Sequence, residues 1–339
     1  MRKILFMCAA VVSAALSAYA AEPFQPKTKL RPSMTVRLYP EGQNVDKGIV
    51  ENGKVLTLGP GESNGIIVPE SMPENGNICM ISDDARMDIY LPKRPNGQMI
   101  VVCPGGGYWI VSSFNEGAYA ADWFVKQGIT VCVVKYRLPN GHWKVPLTDV
   151  QNAFRYCRAK APEWGVKQIG IIGFSAGGHL AASASTLFVD NVTRPDFSIL
   201  LYPVITMDLA THKGTHDNLI GKESKWLDEN MTVKEYNANR AEYERLMEHY
   251  SLDLQVTSET PATMLILSAD DKVVAPENSF RYYAALKKKG VEAQMYVYPS
   301  GGHGWGFTTD EFGKDRIHSY RPVFFQTLKV WLEDLAKSM

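Results

Sequence analysis

From residue 86 to residue 337 the sequence alternates between short apolar runs and longer helical stretches, and this alternation is its strongest constraint on the fold. Several of the runs consist almost entirely of Val, Ile and Leu, as in parallel strands that helices cover on both faces. The alternation predicts an α/β fold with a doubly wound, mostly parallel sheet. The predicted strands are 87–91, 99–103, 130–134, 168–173, 197–201, 262–267 and 294–298. The predicted helices are 117–126, 147–161, 176–187, 276–289 and 320–337.

Two segments depart from this alternation. Residues 204–260, between two predicted strands, are polar and charged, with a helical patch at 237–250. A connection of this length is usually a functional lid or pocket wall, and a helical insertion that only packs on the domain is an equal alternative. Residues 21–85 are rich in Pro, Gly and Asn with short β-like pieces. They predict an N-terminal arm or β-extension packed on a main domain of residues 86–339.

Residues 1–20 have the features of a secretory signal peptide. Arg2 and Lys3 precede the almost wholly apolar run 4–16, and Ala-Tyr-Ala at 18–20 forms a cleavage site. The apolar run is shorter than the roughly 18 residues expected of a membrane span. We therefore expect export to the periplasm or the extracellular space, with no membrane span in the mature chain.

Composition limits the partners and cofactors. The 36 Lys and Arg residues balance the 36 Asp and Glu residues, and no basic stripe predicts a nucleic-acid partner. Cys103 and Cys132 lie in apolar strand-like runs and Cys157 in a helical stretch, so buried free thiols are favoured over the disulfides that export would permit. Because no Cys or His cluster has zinc-ligand spacing, we expect neither a metal nor an organic cofactor.

The sequence GFSAGGH at 173–179 fits the Gly-x-Ser-x-Gly pattern of a nucleophile elbow. The pattern is short enough to arise by chance, and Ser175 alone could be a small residue in a glycine-rich turn. Its context favours the elbow, because a predicted strand precedes Ser175 and a predicted helix follows it. Gly173 and Gly177 supply the small residues that a sharp turn needs, so Ser175 is the candidate nucleophile.

A serine hydroxyl needs a base, and the base needs an acid that orients it. In this fold the acid follows the serine in sequence and the histidine comes last. Asp270 and Asp271 lie at the carboxyl end of the predicted strand 262–267, where open α/β sheets carry functional groups. Either carboxylate is a candidate for the acid on this argument.

His303 is the candidate base. It follows the predicted strand 294–298, and its flanking glycines free the imidazole to approach the serine. His179 lies four residues after Ser175 and would break the expected order, so we expect it to pack near the elbow. The other histidines lie in polar or loop contexts and are expected to be solvated or structural: His142, His212, His216, His249 and His318.

Backbone amides are expected to stabilise the negative charge that develops on the substrate oxygen. Ala176 follows the nucleophile, and the loop Pro-Gly-Gly-Gly at 104–107 follows a predicted strand. Gly106, Gly107 and Ala176 are the candidate donors of this oxyanion hole. A phosphate-binding loop is the competing interpretation, but the Gly-Lys-Ser/Thr and Gly-x-Gly-x-x-Gly patterns are missing.

The segments PGGGYW, GFSAGGHLAAS, THKG with NLIG, ADDKVVAPENS and YPSGGHGWG, in this order, resemble secreted bacterial acetylxylan-esterase-like carbohydrate esterases of the α/β-hydrolase superfamily. The resemblance covers residues 35–337. It implies the α/β-hydrolase fold, with Ser175 as nucleophile, His303 as base and Asp271 as acid. One departure is Pro104, where the lipase-like branch usually has His, and this changes what supports the glycine loop.

The implied activity is hydrolysis of acyl esters, with acetyl as the expected group, on plant oligosaccharide or polysaccharide such as xylan. Tyr108 and Trp109 on the glycine loop and Trp305 beside His303 are candidates for an aromatic wall against a sugar ring, with ordinary loop packing as the alternative. A feruloyl esterase, an amidase or a serine peptidase of the same superfamily would use the same residues. A non-catalytic carbohydrate-binding protein would not need them all.

Overall fold

A computed structural model of the protein describes residues 30–39, 50–51, 54–55, 68–71, 78–80, 85–208, 211–307 and 319–337. The predicted signal peptide and His318 lie outside the described residues, as does much of the predicted arm.

An eight-stranded sheet lies at the centre of the described part of the chain. The strands are β1 (Met34–Arg37), β2 (Val50–Glu51), β3 (Lys54–Val55), β4 (Val68–Ser71), β5 (Ile78–Met80), β6 (Arg86–Tyr90), β7 (Gln98–Cys103), β8 (Thr130–Lys135), β9 (Gln168–Phe174), β10 (Phe197–Leu201), β11 (Ala262–Ser268) and β12 (Ala293–Tyr298). Their order in the large sheet is β1-β6-β8-β7-β9-β10-β11-β12, while β2 with β3 and β4 with β5 form separate pairs.

Strands β8, β7, β9, β10, β11 and β12 are parallel, and β1 and β6 pair in antiparallel fashion at one end. The predicted doubly wound, mostly parallel sheet is therefore confirmed. The boundary expected at residue 86 does not divide the sheet, because β1 comes from the predicted arm and pairs with β6.

The helices of the described residues are α1 (Tyr119–Lys126), α2 (Val145–Lys160), α3 (Ser175–Thr186), α4 (Lys213–Leu219), α5 (Glu223–Trp226), α6 (Val233–His249), α7 (Glu277–Lys288) and α8 (Arg321–Ala336). A π-helical turn, Ser113–Ala118, leads into α1, and a short 3₁₀ turn, Leu252–Leu254, follows α6. The helix predicted at 117–126 thus begins as a wider π turn.

The sheet separates two hydrophobic cores, one on each face. Val101 and Val102 are neighbours in β7, and because strand side chains alternate they point into different cores. Phe154 of α2 packs on the Val101 side, and Phe124 of α1 and Phe324 of α8 pack on the Val102 side. Both faces of the strands are covered, which explains why the strands read as continuous apolar runs.

The predicted buried thiols are confirmed, since Cys103, Cys132 and Cys157 are free and fully buried. Burial raises the pKa of the Cys103 thiol well above its usual range, so this group stays protonated. None of the helices in the described ranges combines the length and the apolar character needed to cross a membrane.

The long segment 204–260 forms the connection between the parallel strands β10 and β11. It contains α4, α5 and α6, and the helical patch predicted at 237–250 lies largely within α6. Thr232 and Glu235 cap the start of α6 reciprocally. Tyr243 and Leu246 of α6 are buried in the same hydrophobic core as Val101. The insertion is therefore packed on the same face of the sheet as α2 and α3.

Candidate active site

Ser175 lies on a sharp turn between β9 and α3. Its φ of 53° is in the left-handed region, which non-glycine residues adopt rarely and usually at functional positions. A Cβ on Gly177 would overlap the carbonyl oxygens of Cys103 and Pro104, so a glycine there lets α3 start directly beside the loop that follows β7. The turn holds Ser175 at the carboxyl ends of the parallel strands.

His303 and Asp271 meet Ser175 at this edge of the sheet. Nε2 of His303 lies 2.9 Å from Oγ of Ser175, and Nδ1 of the same ring lies 2.7 Å from Oδ2 of Asp271. The side chain of Asp271 is 1% exposed and that of His303 15% exposed. A neutral imidazole that donates from Nδ1 to the carboxylate leaves Nε2 free to accept the serine proton.

The surroundings of Asp271 keep it ionised. Burial alone would raise the pKa of this carboxyl, but the hydrogen bond from His303 and the amides of Val273 and Val274 together hold the pKa below its ordinary value. The two amides donate to Oδ1 at 2.8 Å and 3.0 Å. Both oxygens of the carboxylate therefore accept hydrogen bonds, which fixes its orientation toward His303.

Asp270, the alternative acid, has a different partner. Its Oδ1 accepts a hydrogen bond of 2.8 Å from the amide of Gly302, one residue before His303. The structure thus brings Asp271 to the imidazole, and Asp270 ties down the loop that carries the imidazole.

The glycine loop after β7 lies against the nucleophile. A Cβ on Gly105 would come 3.0 Å from Cβ of Ser175. Gly106 and Gly107 have φ values of 127° and 64°, a conformation that glycine adopts without strain. No described residue accepts a hydrogen bond from either amide, and the amide of Ala176 lies at the N-terminus of α3, where no acceptor is available within the helix. These three candidate donors thus have no protein acceptor in the described part of the chain.

Side chains from three parts of the chain support this loop, which has Pro104 at its start. The Tyr136 hydroxyl donates to the Pro104 carbonyl at 2.6 Å, and the Asn218 side chain at the end of α4 donates to the Gly107 carbonyl at 2.9 Å. The Gly105 amide in turn donates to the Glu116 carboxylate at 2.7 Å. The insertion therefore contacts the loop directly, through Asn218.

The aromatic wall expected from the sequence needs a correction. Trp305 is 1% exposed, packs on Phe324, and donates from its ring nitrogen to Oγ of Ser268 at 3.0 Å. Tyr108 is 2% exposed and its hydroxyl reaches Nδ1 of His179 at 3.0 Å. Neither ring offers a face to a sugar, because each is buried in the domain. Trp109 is 47% exposed, so of the three rings it alone remains accessible to a ligand.

His179 packs beside the elbow, as its position in the sequence led us to expect. Its Nε2 donates to the carbonyl of Tyr250 at 2.9 Å, so Nδ1 accepts from the Tyr108 hydroxyl. Burial lowers the pKa of His179 to about 4, and the ring is neutral at physiological pH. The ring supports the glycine loop and the end of α6, and because both its nitrogens have these partners, neither bonds the Ser175 hydroxyl.

His212 is a residue near the site that the sequence did not single out. It precedes α4, and its Nδ1 accepts from the amide of Thr215 at 3.2 Å. Cε1 of His212 lies 3.8 Å from the position that a Cβ would take on Gly107. Partial burial, together with the nearby His303, lowers the pKa of His212, which favours the neutral ring. Because Nδ1 accepts the Thr215 amide, the neutral ring carries its proton on Nε2. The THKG segment was a possible signal, since a His before a helix N-terminus can act as its cap.

Comparison with known proteins identifies the family of the chain. A family model described as an alpha/beta hydrolase fold matches residues 100–307, more than half of the sequence. The chain belongs to the α/β-hydrolase-fold family. The matched range begins in β7 and ends just after His303, so it contains all of the candidate site residues.

Curated relatives of this α/β hydrolase include enzymes named for xylan. It is 39% identical over 262 residues to an acetylxylan esterase of Xylanibacter ruminicola, covering 75% of this chain and 50% of the relative. It is 33% identical over 229 residues to endo-1,4-beta-xylanase B of Butyrivibrio fibrisolvens, covering 63% of this chain and 33% of that protein. The chain therefore spans half the length of the first relative and a third of the second.

Solved structures match most of this chain and nearly all of their own. An acetyl ester-xyloside bifunctional hydrolase from Caldicellulosiruptor lactoaceticus matches this α/β hydrolase with a TM-score of 0.65 and 26% identity, covering 91% of this chain and 98% of the other. A sugar hydrolase from Lactococcus lactis matches with a TM-score of 0.60 and 26% identity over 77% of this chain and 98% of that one.

Proposed function

We propose that the protein is a serine esterase that removes acyl groups, with acetyl as the expected group, from plant oligosaccharide or polysaccharide such as xylan. The observation that carries the proposal is the hydrogen-bonded series from Ser175 through His303 to Asp271. It lies beside the glycine loop, whose Gly106 and Gly107 amides have no acceptor among the described residues. The xylan-named relatives and the acetyl ester-xyloside hydrolase support the choice of substrate.

The reaction proceeds through an acyl-enzyme. His303 takes the proton of Ser175 as Oγ attacks the ester carbonyl carbon, and the electron pair of the carbonyl moves to its oxygen. The amides of Gly106, Gly107 and Ala176 stabilise that charge. The tetrahedral intermediate then expels the sugar alcohol, which leaves with the proton from His303.

Water completes the cycle. His303 takes a proton from a water molecule as the water oxygen attacks the acyl group on Ser175, and collapse of the second intermediate returns the proton to Oγ and releases the acid. Asp271 stabilises the imidazolium that forms in both halves and keeps its ring in one tautomer. The steps use no metal and no organic cofactor.

Trp109 and His212 are the side chains that we place against the alcohol part of the substrate. The exposed ring of Trp109 lies on the glycine loop and can stack on a sugar ring. The His212 ring lies next to Gly107 and has an N–H on Nε2 to donate. The signal-peptide features of residues 1–20 suit such a substrate, because polysaccharide is met outside the cytoplasm.

A substrate panel tests the proposal. Purified protein is incubated with acetylated xylo-oligosaccharides, feruloylated oligosaccharides, 4-nitrophenyl acetate and a peptide p-nitroanilide, and the released acid or chromophore is quantified. Acetate release from the oligosaccharides with little turnover of the feruloyl esters supports an acetyl esterase. Faster turnover of the feruloyl esters, or of the anilide, would replace it with a feruloyl esterase or a peptidase.

A further inference from the structure

Glu116 is a buried carboxylate directly beneath the glycine loop. It lies in the π-helical turn Ser113–Ala118 and is 4% exposed. Its Oε2 accepts the Gly105 amide at 2.7 Å, and its Oε1 accepts the Tyr202 hydroxyl at 2.9 Å. A Glu in such a sequence context usually faces solvent, and a π turn often occurs where a helix is adapted to a functional site.

Tyr202 connects this carboxylate to the histidine loop. It follows β10, and its ring centroid lies 4.8 Å from that of His303 in an edge-to-face arrangement. The Gly306 amide donates to the Tyr202 oxygen, so the hydroxyl proton points to Glu116. Burial and the adjacent Glu116 raise the pKa of Tyr202 well above its usual range, and the hydroxyl keeps that proton.

A second link joins the same π turn to the histidine loop. The side-chain amide of Asn115 reaches the carbonyl of Gly304 at 3.4 Å. The turn is therefore bonded to Gly105, the residue before the candidate oxyanion donors, and to Gly304, the residue between His303 and Trp305. These contacts form a bridge between two loops that are distant in sequence.

These two loops follow strands that are not neighbours in the sheet. The glycine loop follows β7 and the histidine loop follows β12, and β9, β10 and β11 lie between them. Sheet twist accumulates over these strands, so small changes in twist would move the imidazole relative to the oxyanion donors. Catalysis by preorganised donors tolerates little such movement, since a misplacement of about 1 Å can cost about a hundredfold in rate.

We propose that Glu116 is a positioning residue, which holds the oxyanion loop and, through Tyr202, the His303 loop at a fixed separation. The proposal rests on the esterase function proposed above. Glu116 touches neither the substrate nor Ser175 Oγ in this account, and it acts through the Gly105 amide and the Tyr202 ring. Its loss should lower the rate of the chemical step more than it weakens substrate binding.

The test compares Glu116→Gln, Glu116→Ala and Tyr202→Phe with wild type on 4-nitrophenyl acetate. Gln still accepts the Gly105 amide but cannot accept the Tyr202 hydroxyl proton through its NH₂ group, whereas Ala loses both contacts. We expect kcat to fall about 10-fold for Gln and about 100-fold or more for Ala, with KM changed less than about threefold. Glu163→Gln is the control, because that Glu is exposed and forms an ion pair with Lys160 at the surface.

Tyr202→Phe examines the bridge from its other end and does not depend on Glu116→Gln folding. It keeps the ring beside His303 and removes the hydroxyl, so kcat should fall by a similar factor. The double variant Glu116→Gln/Tyr202→Phe should have about the same kcat as the slower of the two single variants, because both changes break the same contact. Folded fractions are measured by circular dichroism and thermal unfolding, and rates are expressed per folded enzyme.

The outcomes separate this inference from the proposed function. Wild type that is active, with folded Glu116→Gln and Tyr202→Phe retaining full kcat, would overturn the positioning role and leave the esterase proposal intact. A rise in KM at constant kcat would also overturn it, since that result indicates substrate binding. A wild type inert on every ester would overturn both.

Discussion

Oγ of Ser175 lies 2.9 Å from Nε2 of His303, although 128 positions separate the two residues in sequence. The contact arises because Ser175 follows β9 and His303 follows β12, and the carboxyl ends of parallel strands lie at one edge of the sheet. The distance is short enough for direct proton transfer, so no rearrangement of either side chain is needed before attack.

The two neighbouring aspartates should differ sharply on substitution. Asp271→Asn replaces the acceptor of the His303 Nδ1 proton with an amide and favours the wrong tautomer, so kcat should fall by about 10³-fold or more. Asp270→Asn keeps an oxygen for the Gly302 amide, and its kcat should stay within about 10-fold of wild type. Steady-state kinetics on 4-nitrophenyl acetate measures both. A larger loss of kcat in Asp270→Asn than in Asp271→Asn would show that Asp270 is the acid.

The low pKa of the buried His179 ring should make the folded protein less stable in acid. Its pKa is about 4 in the folded protein, against about 6.5 in an unfolded chain, so between these values the unfolded state binds more protons. The free energy of unfolding should therefore fall as the pH drops from about 6.5 toward 4, by up to about 3 kcal/mol from this group.

His179→Gln provides the matched comparison. Gln can accept from the Tyr108 hydroxyl and donate to the Tyr250 carbonyl, and it does not titrate. Urea unfolding at pH 7 and pH 5 should show a smaller loss of stability for the variant than for wild type. An equal loss in both proteins would mean that other groups cause the acid sensitivity.

His212→Asn tests the proposed contact with the alcohol part of the substrate. Asn is a good N-cap and should preserve the start of α4 while removing the imidazole. Loss of one hydrogen bond of about 1 kcal/mol should raise KM for acetylated xylo-oligosaccharide about fivefold. KM for 4-nitrophenyl acetate, which has no sugar hydroxyl, should not change. Equal effects on the two substrates would indicate a role in loop structure instead.

The sequence alone predicted the central strands and the strands that the candidate site residues follow. Strands buried on both faces must be apolar throughout, so β7 and β9 stand out in the sequence, and β10 was predicted with its observed bounds. Ser175, Asp271 and His303 each follow a predicted parallel strand, which predicts that they lie at one edge of the sheet. Which of two adjacent aspartates reaches the imidazole depended on the resemblance, because both follow the same strand.

The sequence did not indicate which side of a loop faces the core. Trp305 follows His303 by two residues, but the loop turns it into the hydrophobic core while His303 faces Ser175. Glu116 was missed for the opposite reason, since a charged residue near a helix start is usually exposed. Its role depends on Gly105 and Tyr202, which are near it only in the folded chain.

The proposed identity of the nucleophile has the most direct test. The measurement is kcat/KM for 4-nitrophenyl acetate with wild type, Ser175→Ala and Ser183→Ala, where Ser183 is a buried serine of the same helix whose Oγ donates to the His179 carbonyl. We predict that Ser175→Ala loses about 10³-fold or more, while Ser183→Ala stays within about 10-fold of wild type. A folded Ser175→Ala variant with wild-type activity would contradict the account.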